Sequence, residues 1–271
     1  MKILICVKQV PNTEQMTLNP VTGTLNRDNA KMILNPYDSY ALAAAAKIKT
    51  HDPDTQISVV TMGTKQAETM LRGCLSLSAD RAWLVSDPIF KGSDTLITSH
   101  ILSKAILTIQ KIEGPFDYIF CGKQSIDGET AQVGPQLAER LKRPFVPNAI
   151  DIVIPSESDQ SRLPLFQCQF SSETLLLNAL PPCLVAFTKS NLALPNATLA
   201  NKIFAKKAPI SVLTAEDLSI EPSFSALRQS PTHVVHAYAQ KVSTTCKFFK
   251  YDTDSLAISA LFDQLYQDRI I

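Results

Sequence analysis

Gly122-Lys123-Gln124-Ser125-Ile126-Asp127-Gly128-Glu129-Thr130-Ala131-Gln132-Val133-Gly134-Pro135 follows a short apolar run, Tyr118-Ile119-Phe120-Cys121, and opens a helical pattern. A strand that delivers its chain into glycines, small hydroxyls and amides, and then into a helix start, presents free backbone N–H groups and the positive end of a helix dipole at one point. Such a point suits an anion, most simply a phosphate. The spacing is neither the Gly-rich dinucleotide fingerprint nor the P-loop, so neither of those mechanisms transfers by pattern. An ordinary strand-to-helix turn carries the same local signature.

Outward from this stretch the chain alternates strand and helix. Ile3 to Val7 is a continuous β-favouring run between Lys2 and Lys8, which predicts a central first strand buried on both faces. The connection from Gln9 to Leu34 is rich in Pro, Asn, Thr and Asp, with a turn at Val21-Thr22-Gly23-Thr24; loops of this length are more often functional than idle. Asn35-Pro36-Tyr37-Asp38 starts a helix, with Asn35 as N-cap, Pro36 at the first helical position and Asp38 facing the dipole. Ala41 to Ile48 continues it and His51-Asp52-Pro53 ends it. Ile57 to Met62 reads as the second strand. Ala67, Met70, Leu71, Cys74 and Leu75 then recur at helical spacing and belong to the core. Arg81 to Val85 is a third strand carrying the sole tryptophan, Trp83, and the run from Gly92 to Ser99 opens a helix with Ser93 as N-cap. The helix after the opening stretch runs from about Glu129 to Leu141. This alternation predicts an α/β fold with a doubly wound parallel sheet, whose ligands sit outside the carboxyl ends of the strands, where the loops near Lys8, Met62 and Gly122 gather.

Beyond Pro144 the rhythm changes. Ile150 to Ile154, Leu163 to Phe170, Thr174 to Leu177 and Leu184 to Phe187 are short extended segments that look antiparallel or edge-like. Thr188 to Lys207 reads as a polar loop, and Thr214 as the N-cap of a short helix over Leu213 to Leu218. The expected organisation is an α/β domain over residues 1–212, including a loop at about 188–207, and a C-terminal arm over 213–271 that packs on another surface. In that arm Asp254 caps an amphipathic helix using Leu256, Ala260, Leu261 and Leu265.

A chain of 271 residues, 45% hydrophobic and 19% charged, can bury a substantial core. Its formal charge of +1 gives no general field for nucleic acid or an anionic membrane. The six cysteines lack a Cys-x-x-Cys pair and mostly sit in apolar runs, suggesting neither a metal site nor a disulfide framework. No stretch approaches the roughly twenty apolar residues of a membrane span, so no membrane insertion and a cytoplasmic setting are expected. His51, His100, His233 and His236 have no nucleophile signature beside them, which disfavours a hydrolase. Asp127 and Glu129 are read as positioning backbone or hydroxyl groups rather than as an acid–base pair.

Taken together, Val7-Lys8-Gln9-Val10-Pro11, Asn35-Pro36-Tyr37-Asp38, the two halves of the opening stretch (122–128 and 130–135) and Ala205-Lys206-Lys207 resemble the β subunit of electron-transfer flavoproteins. The resemblance covers most of the first two hundred residues. It implies a nucleotide-binding, adenine-nucleotide-hydrolase-like α/β fold and an α-subunit partner that holds a redox FAD. The β subunit itself then holds AMP or, in the electron-bifurcating branch, a second FAD. The positions matching the family's nucleotide contacts are Cys6, Asn35, Pro36, Tyr37, Asp38 and Met62, with Gly122, Lys123, Gln124, Ser125, Ile126, Asp127, Gly128, Glu129, Thr130, Ala131, Gln132, Val133 and Gly134 in the anchor.

Val21 to Leu25, the Gly92 to Ser99 run with Asp94, Thr95 and Thr98, and Ser230-Pro231-Thr232 look like the bifurcating and anaerobic members, so the sequence leans towards FAD. The resemblance then implies NADH as electron donor, a low-potential ferredoxin or flavodoxin as one acceptor, and an acyl-CoA or other flavin-dependent dehydrogenase served through the α flavin. AMP as a structural nucleotide is the alternative, and a flavin-free nucleotide-binding regulatory protein is a further one. The family's recognition loop carries Asn-Glu-Pro-Arg-Tyr before Ala-Thr-Leu. Here Leu192-Ala193-Leu194-Pro195-Asn196 precedes Ala197-Thr198-Leu199, so only the last part survives, with Leu199 as the apolar partner anchor. Ser171 to Leu180 is less polar than the glycine-containing turn usual at that place.

Overall fold

The computed structural model describes residues 1–12, 31–155, 163–221, 223–232, 246–249 and 256–270. Strand β1 (Lys2–Cys6) leads into the short strands β2 (Gln9–Pro11) and β3 (Met32–Leu34), followed by helix α1 (Pro36–His51) and strand β4 (Gln56–Met62). Then come α2 (Glu68–Leu77), β5 (Arg81–Val85), α3 (Thr95–Glu113), β6 (Tyr118–Gly122) and α4 (Val133–Arg140). The remainder consists of β7 (Phe145–Val153), β8 (Leu165–Phe170), β9 (Glu173–Asn178), β10 (Cys183–Phe187), α5 (Leu199–Lys207), β11 (Ile210–Leu213), α6 (Ala226–Gln229) and α7 (Ala257–Gln267). One nine-stranded sheet has the order β11-β5-β4-β1-β6-β10-β7-β8-β9, parallel from β11 to β7 and antiparallel beyond.

The two-residue period of the strands divides their side chains between two cores. Ile3, Ile5, Ile57, Val59, Tyr118 and Phe120 face one side and pack with α1 and α2. Leu4, Val60, Trp83, Ile119 and Leu184 face the other and pack with α3 and α4. Central strands buried on both faces read as near-continuous apolar runs, as β1 and β6 do, while β4 admits the buried hydroxyls of Ser58 and Thr61. Each fully buried aliphatic side chain contributes about 1.5–3 kcal/mol, which is why this pattern dominates the local preferences. From β1 the chain winds outward through β4 and β5, then returns to place β6 on the opposite flank of β1. The strand order therefore reverses between β1 and β6, the point where such sheets place a ligand crevice outside the strands' carboxyl ends.

Several expectations need correction. β10 is an inner parallel strand between β6 and β7, not an edge. All five of its residues are buried, and the Pro181-Pro182 break before it had made it look peripheral. The helix after the opening stretch begins at Val133 rather than near Glu129, because Glu129 and Ala131 adopt positive φ of 50° and 53°. Left-handed residues cannot sit inside a right-handed helix. Asp94, not Ser93, caps α3, accepting from Ile97 N at 3.0 Å, while the Ser93 hydroxyl donates to Phe90 O. Thr214 starts a turn instead of a helix: its N–H and hydroxyl both donate to Asp217, at 2.7 Å each. The last nine residues of the polar 188–207 segment form α5, capped by Thr198. Ser171, with φ 45°, makes the tight β8–β9 turn without a glycine, and the Gln169 side chain donates to Ser171 O and Glu173 O to brace it.

The Val21 turn, His233, His236 and Asp254 lie outside the described residues. The ends of the long 9–34 connection pair as the β2–β3 ladder. Residues 213–226 add Leu213, Ala215, Leu218, Ile220 and Ala226 to the α3 side core. No helix among the described residues is long and apolar enough to cross a membrane.

Candidate functional site

The crevice is organised by one buried carboxylate. Asp38 occupies the first turn of α1 but is only 5% exposed, and its Oδ2 accepts the N–H of Lys8, just past β1, at 2.7 Å. Its Oδ1 accepts the N–H of Gly122, at the end of β6, at 3.0 Å. One side chain thus fastens the two strand ends that diverge at the switch point. Gly122 is required for the approach: a Cβ there would lie 2.4 Å from Asp38 Oδ1 and 2.7 Å from the Tyr37 Cβ. Burial pushes the Asp38 carboxyl up to about 7 against the lowering effect of these hydrogen bonds. Desolvation likewise pushes the Cys6 thiol up to about 12 and the Cys121 thiol well above its ordinary value. Both are small packed thiols in register across β1 and β6, not thiolate nucleophiles.

Asn35 precedes Pro36 as predicted but makes no side-chain cap. It is spent on the anchor instead: Nδ2 donates to Gln124 O at 2.9 Å, and Oδ1 accepts Ile126 N at 3.3 Å. Lys8 ties the same loop from the other side, its Nζ 2.7 and 2.8 Å from the Asp127 oxygens and 3.3 Å from Ser125 Oγ. Burial alone would raise the Asp127 carboxyl; the Lys8 and Ser125 hydrogen bonds outweigh it and hold Asp127 below its usual value. Lys123 N donates to Phe187 O at 2.7 Å, which anchors the loop to β10. Lys8 was absent from the predicted site residues; its position directly after the central strand is the signal that could have found it.

A second group joins through α3. Thr95 Oγ1 donates to Gln132 Oε1 at 2.8 Å, linking the α3 start to the far end of the anchor. The cap residue Asp94 also accepts from Thr232 N and Oγ1, at 3.2 and 2.9 Å, while its own N–H donates to Ser230 Oγ at 2.9 Å. Burial works against ionisation of Asp94, and the Ile97 and Thr232 donors overcome it, leaving its carboxyl below the usual range. Thr98 stands half-buried in the first turn of α3, and Met62 ends β4 in the same row of strand ends. The structure thus brings the predicted positions together, except Leu199, which begins α5 on the α2 side of the sheet.

The anchor suits a phosphate by its backbone. Among the described residues, the N–H groups of Ser125, Gly128, Thr130, Ala131 and Gln132 have no protein partner. A Cβ at Gly128 would meet nothing closer than 3.6 Å, so this part of the loop stays open. The loop's own charges, Lys123, Asp127 and Glu129, do not sum to a positive field, and Lys8 is engaged by Asp127. An anion placed here would be met by N–H groups and not by net charge. Replacing Asp127 by alanine releases Lys8 and the loop, and is expected to lower the nucleotide content of the purified protein severalfold. Nucleotide released on denaturation, quantified by chromatography, checks it; unchanged content would remove Asp127 from the site.

Residues 22–218 match the family model described as electron transfer flavoprotein domain. The chain is 36% identical over 271 residues, 100% of both chains, to the caffeyl-CoA reductase-Etf complex subunit CarD of Acetobacterium woodii. It is 34% identical over 275 residues, again 100% of both chains, to the electron transfer flavoprotein subunit beta of Megasphaera elsdenii. It is 38% identical over 240 residues to the protein FixA of Sinorhizobium fredii, covering 88% of this chain and 83% of that one. With the family model spanning most of the sheet that builds the crevice, and relatives matching end to end, the chain belongs to the electron transfer flavoprotein family as a β-subunit-like member.

Proposed function

We propose that this chain is the β subunit of a cytoplasmic heterodimeric electron-transfer flavoprotein and holds FAD in the crevice between β1 and β6. The carrying observation is the reach of the donor set: the open N–H groups of the anchor and the α3 start are joined at the Gln132–Thr95 bond. A diphosphate with its ribityl chain needs more donors, over a longer path, than a monophosphate. When bound, FAD would supply the redox chemistry, two-electron exchange with NADH and one-electron exchange with a low-potential ferredoxin or flavodoxin and, by way of the α-subunit FAD, with an acyl-CoA or other flavin-dependent dehydrogenase. The protein's share is to grip the phosphates with the 122–134 backbone and to keep the strand ends fixed through Asp38 and Asn35. The full-length match to a relative named as a subunit of a reductase-Etf complex supports this reading.

Partner contacts follow from apolar surface. Leu256, Ile258, Phe262 and Tyr266 stand exposed on and beside α7, which suits the arm to dock on the α subunit. Leu199, 75% exposed at the first turn of α5, is the proposed anchor for the dehydrogenase.

A second reading has its own observation. The hydroxyls of Thr95 and Thr232 are engaged by Gln132 and Asp94, which leaves chiefly the anchor N–H groups, enough for the single phosphate of AMP. The absorbance of the αβ complex and its released nucleotides separate the two. Two flavins per αβ pair are expected; one flavin with one AMP would overturn the FAD reading.

A further inference from the structure

Helix α5, with nine residues, is shorter than a helix that holds by itself in water. It turns Leu199, Ile203 and Phe204 outward and buries only Ala205. Its start is closed by Thr198, whose hydroxyl accepts Asn201 N at 3.1 Å. Its end leaves carbonyls without intrahelical partners, and a side chain from another helix meets them. Arg72, half-buried on α2, places Nη1 2.6 Å from Ala205 O, 3.2 Å from Ala208 O and 3.3 Å from Lys206 O. A guanidinium satisfies those oxygens and also sets a positive charge at the negative end of the helix. The neighbours of Arg72 on α2, Met70, Leu71, Cys74 and Leu75, are buried in the main core. The grip therefore comes from a fixed platform. Before α5, the chain is tied to β7 where Thr188 N donates to Ala149 O at 2.9 Å, and beyond that Leu192 and Leu194 are partly packed on the core and Leu192 N bonds only locally to Ser190 Oγ.

We infer that Arg72 is the positioning residue of the docking helix: by capping the carboxyl end of α5 from α2, it fixes the direction in which Leu199, Ile203 and Phe204 face a partner protein. This rests on the reading of Leu199 as the dehydrogenase anchor. Arg72 bonds to the end of α5 and to none of the crevice residues, so its removal is expected to act on docking alone. Lys206 and Lys207 carry charge at the same helix end but are exposed, whereas Arg72 reaches the carbonyls from the packed side.

The test uses the intact αβ complex with Arg72→Gln, Arg72→Lys and Leu199→Ala. Hydrogen exchange without partner reads the helix end directly: in Arg72→Gln, the amides of residues 203–208 are expected to exchange about tenfold faster, the scale of one lost charge-assisted hydrogen bond. With NADH as reductant and an acyl-CoA dehydrogenase as acceptor, KM for that dehydrogenase rises about tenfold in Arg72→Gln, while kcat and nucleotide content stay at the parent values. Arg72→Lys, which keeps the charge and part of the reach, restores part of both effects. Parent-like exchange and KM in Arg72→Gln, with a raised KM in Leu199→Ala, would overturn the Arg72 assignment alone. An unchanged KM in Leu199→Ala would overturn the docking reading and the assignment with it. Loss of nucleotide together with the KM change would make Arg72 a general stability residue and overturn its positioning role.

Discussion

Replacing Asp38 with alanine is expected to open the crevice and strip the protein of its nucleotide. The side chain holds the N–H of Lys8 and the N–H of Gly122, and both lose an acceptor that is itself only 5% exposed. Each orphaned buried donor costs about 1–3 kcal/mol, so the summed loss is about 2–6 kcal/mol when the wild-type group is protonated. The pH dependence has a definite sign. Burial raises the folded-state carboxyl to about 7, above the 3.8 of an unperturbed Asp, so the folded protein binds more protons than the unfolded chain between those values. The contribution of Asp38 to stability is full below the unfolded value and declines as pH rises through 7. The destabilisation by Asp38→Ala is therefore larger at pH 5 than at pH 8. Urea unfolding of both proteins at the two pH values checks this, and an equal gap at both would show that the carboxyl does not titrate in that window. Asp38→Asn keeps one acceptor but turns an NH2 towards the other donor; it should cost less than alanine near pH 5 and abolish the pH-dependent limb.

The second large effect is expected at the opposite edge of the sheet. Glu113, the last residue of α3, has a side chain only 4% exposed. It accepts from the Ser58 hydroxyl and the Trp83 indole N–H, each at 2.6 Å, and lies 3.6 Å from Arg81 Nη1. Arg81 is largely solvated, so its attraction adds little. The two buried donors decide the outcome. Glu113→Ala orphans both and leaves a cavity, for a loss of about 3–5 kcal/mol, read as a lower urea midpoint. Because Trp83 is the only tryptophan, its emission reports the site directly and should shift to the red as water reaches the ring. Nucleotide content should hold in the folded protein, since this cluster belongs to the strands' amino edge. A parent-like midpoint and spectrum would show that Ser58 and Trp83 find other acceptors.

The family was legible because its signals are short in range. A strand, a glycine and a loop of hydroxyls and amides are contiguous at Tyr118 to Pro135, and the Asn35-Pro36 helix start is equally local. Both lie where the chain was expected to bring them, at the carboxyl ends of β1 and β6. What the residues do there was misjudged where their partners are distant. Asn35 has the identity of an N-cap, yet it serves a loop 89 residues away, because the Gln124 carbonyl and Ile126 N–H lie within reach only once β6 is beside β1. Lys8 and Asp127 are separated by 119 residues, so the position of Lys8 after β1 puts it in the row of strand ends but does not name its partner. Nor does anything near Arg72 name the end of α5 as its partner.

The sequence by itself determined the doubly wound sheet, the place of the crevice and the family, since periodic burial and turn chemistry are written in neighbouring residues. Only the tertiary structure decided that β10 is an inner strand, that the anchor offers loop N–H groups rather than a helix start, and that Asp38 is a buried clasp. The reason is physical: a side chain's hydrogen-bonding partner is set by which backbone groups lie within about 3 Å after folding, and propensity carries no information about that distance.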